Sequence, residues 1–142
     1  MIRLVLAVLL LASGAAAAAV TAGISVTGAW VRASLGQLPT TAAYIKVENK
    51  GTTEDRLLSV STPAAAMANL HESVSDNGIM KMNAVPALVI KPGQTAELAP
   101  GGMHIMVMSL KAPLKAGATM PLVLKFEKAG EIRVEAEVRG LK

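Results

Sequence analysis

From residue 24 onward, apolar and polar side chains alternate in short runs that end at Gly, Pro or Asn. Alternation with a period of two puts successive side chains on opposite faces, the signature of a half-buried strand. Ile24 to Arg32 alternates around Val26 and Trp30. Ala42 to Glu48 sets Tyr44 and Lys46 against Ile45 and Val47, then meets the turn Asn49-Lys50-Gly51. Arg56 to Ser61 is a short strand stopped by Pro63. Asn69 to Ser75 and Ile79 to Val85 flank Asp76-Asn77-Gly78, a strong hairpin signal. Leu88 to Ile90 and Thr95 to Leu98 are shorter, ended by Lys91-Pro92-Gly93 and Pro100-Gly101-Gly102. His104 to Leu110 and Met120 to Glu127 follow; Pro121 stands near a strand start, where proline is tolerated. Ile132 to Val138 gives the clearest alternation, with Arg133, Glu135 and Glu137 on the polar face. Only Pro63 to Leu70 has a weak helical composition, and Val20 to Gly23 reads as a loose arm. So many short strands with frequent turns predict an all-β Greek-key sandwich or barrel.

The first stretch has a different pattern. Arg3 supplies a positive start, Leu4 to Ala12 is unbroken apolar sequence, and Ser13 to Ala19 consists of small residues. That order reads as a secretory signal peptide over residues 1–19. The apolar run is shorter than the roughly 20 residues a membrane span needs. The expectation is an exported chain whose residues 20–142 form one β domain, with no stable membrane insertion after cleavage. The 142 residues include no Cys, so no disulfide supports the core.

Charge and composition remove one class of function. Without Arg3, the 14 basic residues become 13 against 10 acidic, a formal charge of +3. The charges are interspersed, and the aromatic residues are Trp30, Tyr44 and Phe126 alone. Nucleic-acid binding calls for a basic stripe and stacking platforms, and neither is present.

Methionine changes the picture. Seven remain beyond Met1, more than twice the aromatic count. Met fills irregular core gaps, which is the expectation for Met80, Met103, Met108 and Met120. It also offers a soft thioether to a soft metal. The chain's two histidines, His71 and His104, both fall in predicted strands near methionines. His104 and Met106 are two apart and share a face. Met80 and Met82 lie on the return strand of the hairpin that carries His71. Parity cannot choose between those two methionines, but the hairpin should make Met82 the cross-strand neighbour of His71. Imidazole plus thioether suits Cu(I), and thioethers avoid the disulfide chemistry of an oxidising compartment. The convergence is read both ways at this point, as a metal site and as ordinary core packing.

The spacing His71-x10-Met82-x21-His104-x-Met106 resembles the copper(I)-binding signature of the periplasmic copper chaperones called PCuAC. Gly78-Ile79-Met80-Lys81-Met82, Pro100-Gly101-Gly102-Met103-His104-Ile105-Met106 and Leu110-Lys111-Ala112-Pro113-Leu114 are also similar to that family. The resemblance runs from about Trp30 to Val138. It implies a cupredoxin-like β-sandwich holding one Cu(I) ion per chain through His71, Met82, His104 and Met106. It also implies transfer to a copper-accepting oxidase subunit or a thioredoxin-like assembly factor, toward the CuA or haem–copper site of cytochrome c oxidase. The His- and Met-rich C-terminal tail of some relatives has no counterpart here.

Three function classes remain: a periplasmic metallochaperone, an enzyme, and a non-catalytic β-sandwich with a structural or copper-buffering role. No nucleophile or acid–base pair stands out, which argues against an enzyme. Electron transfer at a blue-copper site would need a Cys thiolate. The chaperone is the expectation, because a purely structural domain leaves the ligand spacing without a reason.

Overall fold

The structure, a computed structural model, describes residues 19–34 and 39–140. The leader reading of residues 1–19 lies outside them except for Ala19. Eleven strands follow one another: β1 (Ala19–Thr21), β2 (Ile24–Arg32), β3 (Thr41–Asn49), β4 (Asp55–Ser61), β5 (Ala65–Asp76), β6 (Ile79–Ala84), β7 (Leu88–Ile90), β8 (Thr95–Glu97), β9 (Met103–Leu110), β10 (Thr119–Phe126) and β11 (Gly130–Arg139). No helix occurs among the described residues.

The strands hydrogen-bond in the order β6-β5-β9-β3-β2-β11-β10-β4-β7, with β1 added to β2 and β8 to β3. Pairing is antiparallel except between β2 and β11, where Trp30, Val31 and Arg32 run parallel to Glu137, Val138 and Arg139. A register shift between Thr27 and Trp30 bends β2 at the middle of that path. At its far side β4 packs on β5 without being its hydrogen-bonded neighbour. The path thus folds over on itself as the all-β, cupredoxin-like sandwich expected.

Inward positions supply the core. Ile132, Val134, Ala136 and Val138 on β11 face Met120, Leu122, Leu124 and Phe126 on β10, and all are buried. Ile45, Val47, Leu57, Ile90 and Ile105 close the other side. Fully burying one such side chain stabilises by roughly 1.5–3 kcal/mol. One buried carboxylate ties the ends together: Asp55 accepts the backbone N–H groups of Arg56, Lys128 and Ala129, at 2.8–3.0 Å. It therefore fixes the β10–β11 turn against the start of β4.

Two local expectations are corrected. Val20 to Gly23 is not a loose arm: β1 pairs with β2, with Thr21 opposite Ile24 across a tight turn at Ala22-Gly23. Ala-Gly lacks the Asn or Asp that usually marks such a turn. The helical composition of Pro63 to Leu70 is also overridden. β5 begins at Ala65, because Ala65 to Glu72 can pair along the whole of β9. Alanine's helix preference is a weak prior against such a ladder.

Candidate metal centre

The hairpin that carries His71 is fixed by its turn. Asn77 and Gly78 have φ of 51° and 80°, and Asp76 pairs with Ile79. A two-residue turn with both central φ positive matches the twist of the strands and sets their register. That register places Ser73 opposite Met82 and His71 opposite Ala84. The expected direct pairing of His71 with Met82 is therefore corrected by one two-residue step. Met82 is diagonal to His71, and Met80, opposite Ser75, is a step further away. Both methionines are on β6, an edge strand exposed along its length; Met82 is 59% and Met80 65% exposed. Met80 is thus not a core residue, contrary to expectation.

The other side of β5 is set by β9. His71 lies directly opposite His104, and Asn69 opposite Met106. Pairing parity puts His71, Met82, His104 and Met106 on one face of the β6-β5-β9 layer. The two histidines occupy neighbouring positions in one row, with Met82 one row to one side and Met106 one row to the other. Leu70 and Ile105, on the opposite face, are buried in the core. Glu72, opposite Met103, also falls on that other face, so no carboxylate faces the His/Met set from its own strand.

The approach to β9 builds the rest. Gly101 has a φ of 85°, a conformation that costs an L side chain about 1–2 kcal/mol. The turn it permits aims the Gly102 carbonyl back at the strands. That oxygen accepts the Ser73 N–H at 3.3 Å and lies 3.1 Å from Nδ1 of His104. A carbonyl can only accept, so His104 Nδ1 carries the proton and Nε2 keeps its lone pair. Such an outer partner orients a ligating imidazole. His104 is 5% exposed, held between β5 and β3.

His71 has no such partner. Its Nδ1 is buried and makes no hydrogen bond. Leaving a buried polar atom unpaired costs about 1–3 kcal/mol. The two imidazole ring centres are 6.2 Å apart with planes at 24°. Two nitrogens bound to one ion at about 2 Å each allow ring centres up to roughly 6.3 Å apart. That limit is the nearly linear case, so the imidazoles would draw closer together around an ion with further donors, and such an ion would satisfy the orphaned nitrogen. Among the described residues no three His, Cys, Asp or Glu come together. Beside the Asn69 amide and the Ser73 hydroxyl, the further side-chain donors on this face are thioethers, which favour a soft monovalent metal over Zn(II).

Met67 was not singled out in the sequence. It lies on the same face, 52% exposed and directly opposite Met108. The signal that could have found it is the parity shared by residues 67, 69 and 71, hidden by reading this stretch as helical. Of the methionines expected in the core, Met120 is fully buried and Met103 packs on the core's edge, while Met108 is half-buried.

The all-β sandwich is the fold of a copper-chaperone-type domain. Residues 24–138 match the family described as "Putative lipoprotein LpqE-like", and the chain belongs to that family, which is the PCuAC family. A relative from Leifsonia xyli subsp. xyli, "Putative lipoprotein Lxx21020", is 38% identical over 118 residues, 82% of this chain and 70% of that one. Among solved structures, the Cu(I) form of DR1885 from Deinococcus radiodurans is 33% identical with a TM-score of 0.65, over 86% of this chain and 80% of that one. The copper-bound PCuAC domain of PmoF2 superposes with a TM-score of 0.76 over 88% of this chain and 99% of that one. At 24% identity, that likeness concerns the fold.

Proposed function

We propose that this chain is an exported metallochaperone that holds one Cu(I) through His71, Met82, His104 and Met106 and passes it on in the periplasm. The observation that carries this reading is the His71–His104 pair. Two imidazoles face each other at 6.2 Å, one with a buried nitrogen that nothing satisfies, with methionines on the same face to either side. Copper is cargo here, so the site must release it. Neutral thioethers and imidazoles exchange without a proton having to move at sulfur, and Met82 is open to solvent. A relative that binds Cu(I) and a relative named as a lipoprotein support the ion and the export.

The acceptor we propose is the oxidase: a CuA or haem–copper subunit of cytochrome c oxidase, or a thioredoxin-like assembly factor serving it. The role is non-catalytic. The test mixes the Cu(I)-loaded mature chain with an apo CuA domain and follows copper by size-exclusion chromatography and metal analysis. Transfer at a rate above that of free chelated Cu(I) is expected. Tight binding without accelerated transfer would support copper buffering instead.

A further inference from the structure

The face that carries the four donors does not end at Met106. One two-residue step beyond it, Met67 on β5 and Met108 on β9 stand directly opposite each other. The same face therefore reads, row by row, Met67 with Met108, Asn69 with Met106, and His71 with His104, before it reaches Met82 and Met80. Directly opposed strand positions hold their Cβ atoms about 4.5–5.5 Å apart, and rows on one strand lie about 7 Å apart. The Met67 and Met108 sulfurs can thus meet, and Met106 is within one step of them.

Neither methionine is enclosed as a core residue is. A core methionine in this chain looks like Met120, which has no exposed surface. Met67 is half in solvent, and Met108 is half-buried. A groove of about 440 Å3 runs along this part of β5 and is lined by Met108, Asn69 and His71 together with Leu58, Val60 and Val85. It joins the neighbourhood of Met108 to that of the first histidine, while Met67 lines an adjoining hollow with Ala68 and Asn69. No acidic side chain lines it, so a hard divalent cation finds no anionic donor there.

We infer that Met67 and Met108 form a second, weaker site for a soft monovalent ion, Cu(I) or Ag(I), with Met106 as a sulfur shared with the His71/His104 centre. Binding there is ligand exchange between thioethers, with no change of oxidation state and no proton released. The inference rests on the proposed Cu(I) reading for its biological sense, but not for its test. With only thioether donors, the site should bind at least tenfold more weakly than the site containing imidazole.

The experiment titrates the mature chain, carrying [methyl-13C]Met, with Ag(I) as a redox-silent probe. In the first equivalent the Met82 and Met106 methyls should shift; in the second, those of Met67 and Met108. The Met67→Leu/Met108→Leu variant should lose the second event and keep the affinity of the first within about twofold, since Leu preserves apolar volume. The His71→Ala/His104→Ala variant isolates the inference. There the Met67 and Met108 methyls should still respond, with circular dichroism verifying the fold. If those two methyls stay unmoved through three equivalents in both proteins, the second site does not exist. If they respond while the first equivalent leaves Met82 and both histidines untouched, the primary ligand set fails and the second site stands.

Discussion

His71 and His104 are cross-strand partners on β5 and β9, yet they are held in different ways. His104 has its Nδ1 tied to the Gly102 carbonyl, whereas Nδ1 of His71 is buried and free of any partner. The difference predicts which nitrogen each offers to a metal. On loading with Cu(I) or Ag(I), the 15N resonance of Nε2 should move most for His104, and that of Nδ1 for His71. Two-bond 1H–15N spectra of the apo and loaded chain read this directly. A loaded state in which His71 binds through Nε2 would mean that the orphaned nitrogen has another purpose.

The hairpin register separates two methionines that sequence parity could not. Met82→Leu should lower Cu(I) affinity by more than the roughly 10–100-fold that loss of an outer-shell partner costs a metal site. Met80→Leu, a row further from His71, should change it by less than about threefold. Competition with a chromophoric Cu(I) chelator measures both. Equal losses would show that the two sulfurs exchange at one position.

Zn(II) should compete poorly. The centre offers it two imidazoles and no third nitrogen, thiolate or carboxylate among the described residues. A Cu(I) preference of at least about 1,000-fold, about 4 kcal/mol, is expected from the donor set. Calorimetry with Zn(II) on the apo chain tests it; submicromolar binding at this face would contradict the ligand set.

Oxidation should follow exposure. Met67, Met80 and Met82 are the open sulfurs, and Met120 is fully enclosed. Mild peroxide should therefore convert the first three to sulfoxides before Met120, with the β-sheet circular dichroism unchanged. Cu(I) affinity should fall in step with Met82 sulfoxide, because the soft donor is lost. Peptide mapping by mass spectrometry gives the order.

Gly78→Ala tests the turn. A Cβ there meets no atom within 4 Å, so only the left-handed backbone is penalised. The cost should be about 1–2 kcal/mol. Hydrogen exchange should quicken on β6 and the adjoining part of β5 first. Cu(I) affinity should weaken as Met82 loses its register, while β10 and β11 keep their protection.

Much of this was legible in the alternation of the chain. The strand around Ile132 to Val138 was readable because every second residue is branched or small apolar, and those residues are the buried ones. The Asn77-Gly78 turn was readable because its residues tolerate the backbone it needs. The His104–Met106 relation followed from parity alone. What sequence could not supply was the offset between strands. His71 faces Ala84 rather than Met82 because of where the turn closes, and a shift of one row is invisible to periodicity. Met67 was missed because the four alanines around it, Ala64, Ala65, Ala66 and Ala68, look helical until a partner strand is present. The Gly102 carbonyl, which fixes the tautomer of His104, is a main-chain atom and leaves no trace in side-chain identity.

The exposure of the donors is uneven: His104 is 5% open to solvent and Met82 59%. That gradient gives the centre a front and a back. With the proposed ligand set, an acceptor's incoming ligand would meet Met82, the most exposed of the four donors, first. The His104 bond would be the last, since its imidazole cannot turn away without breaking its tie to Gly102. Copper would then leave by stepwise substitution, one donor for one donor, and never as a bare ion. The sandwich would not have to open to let its cargo go.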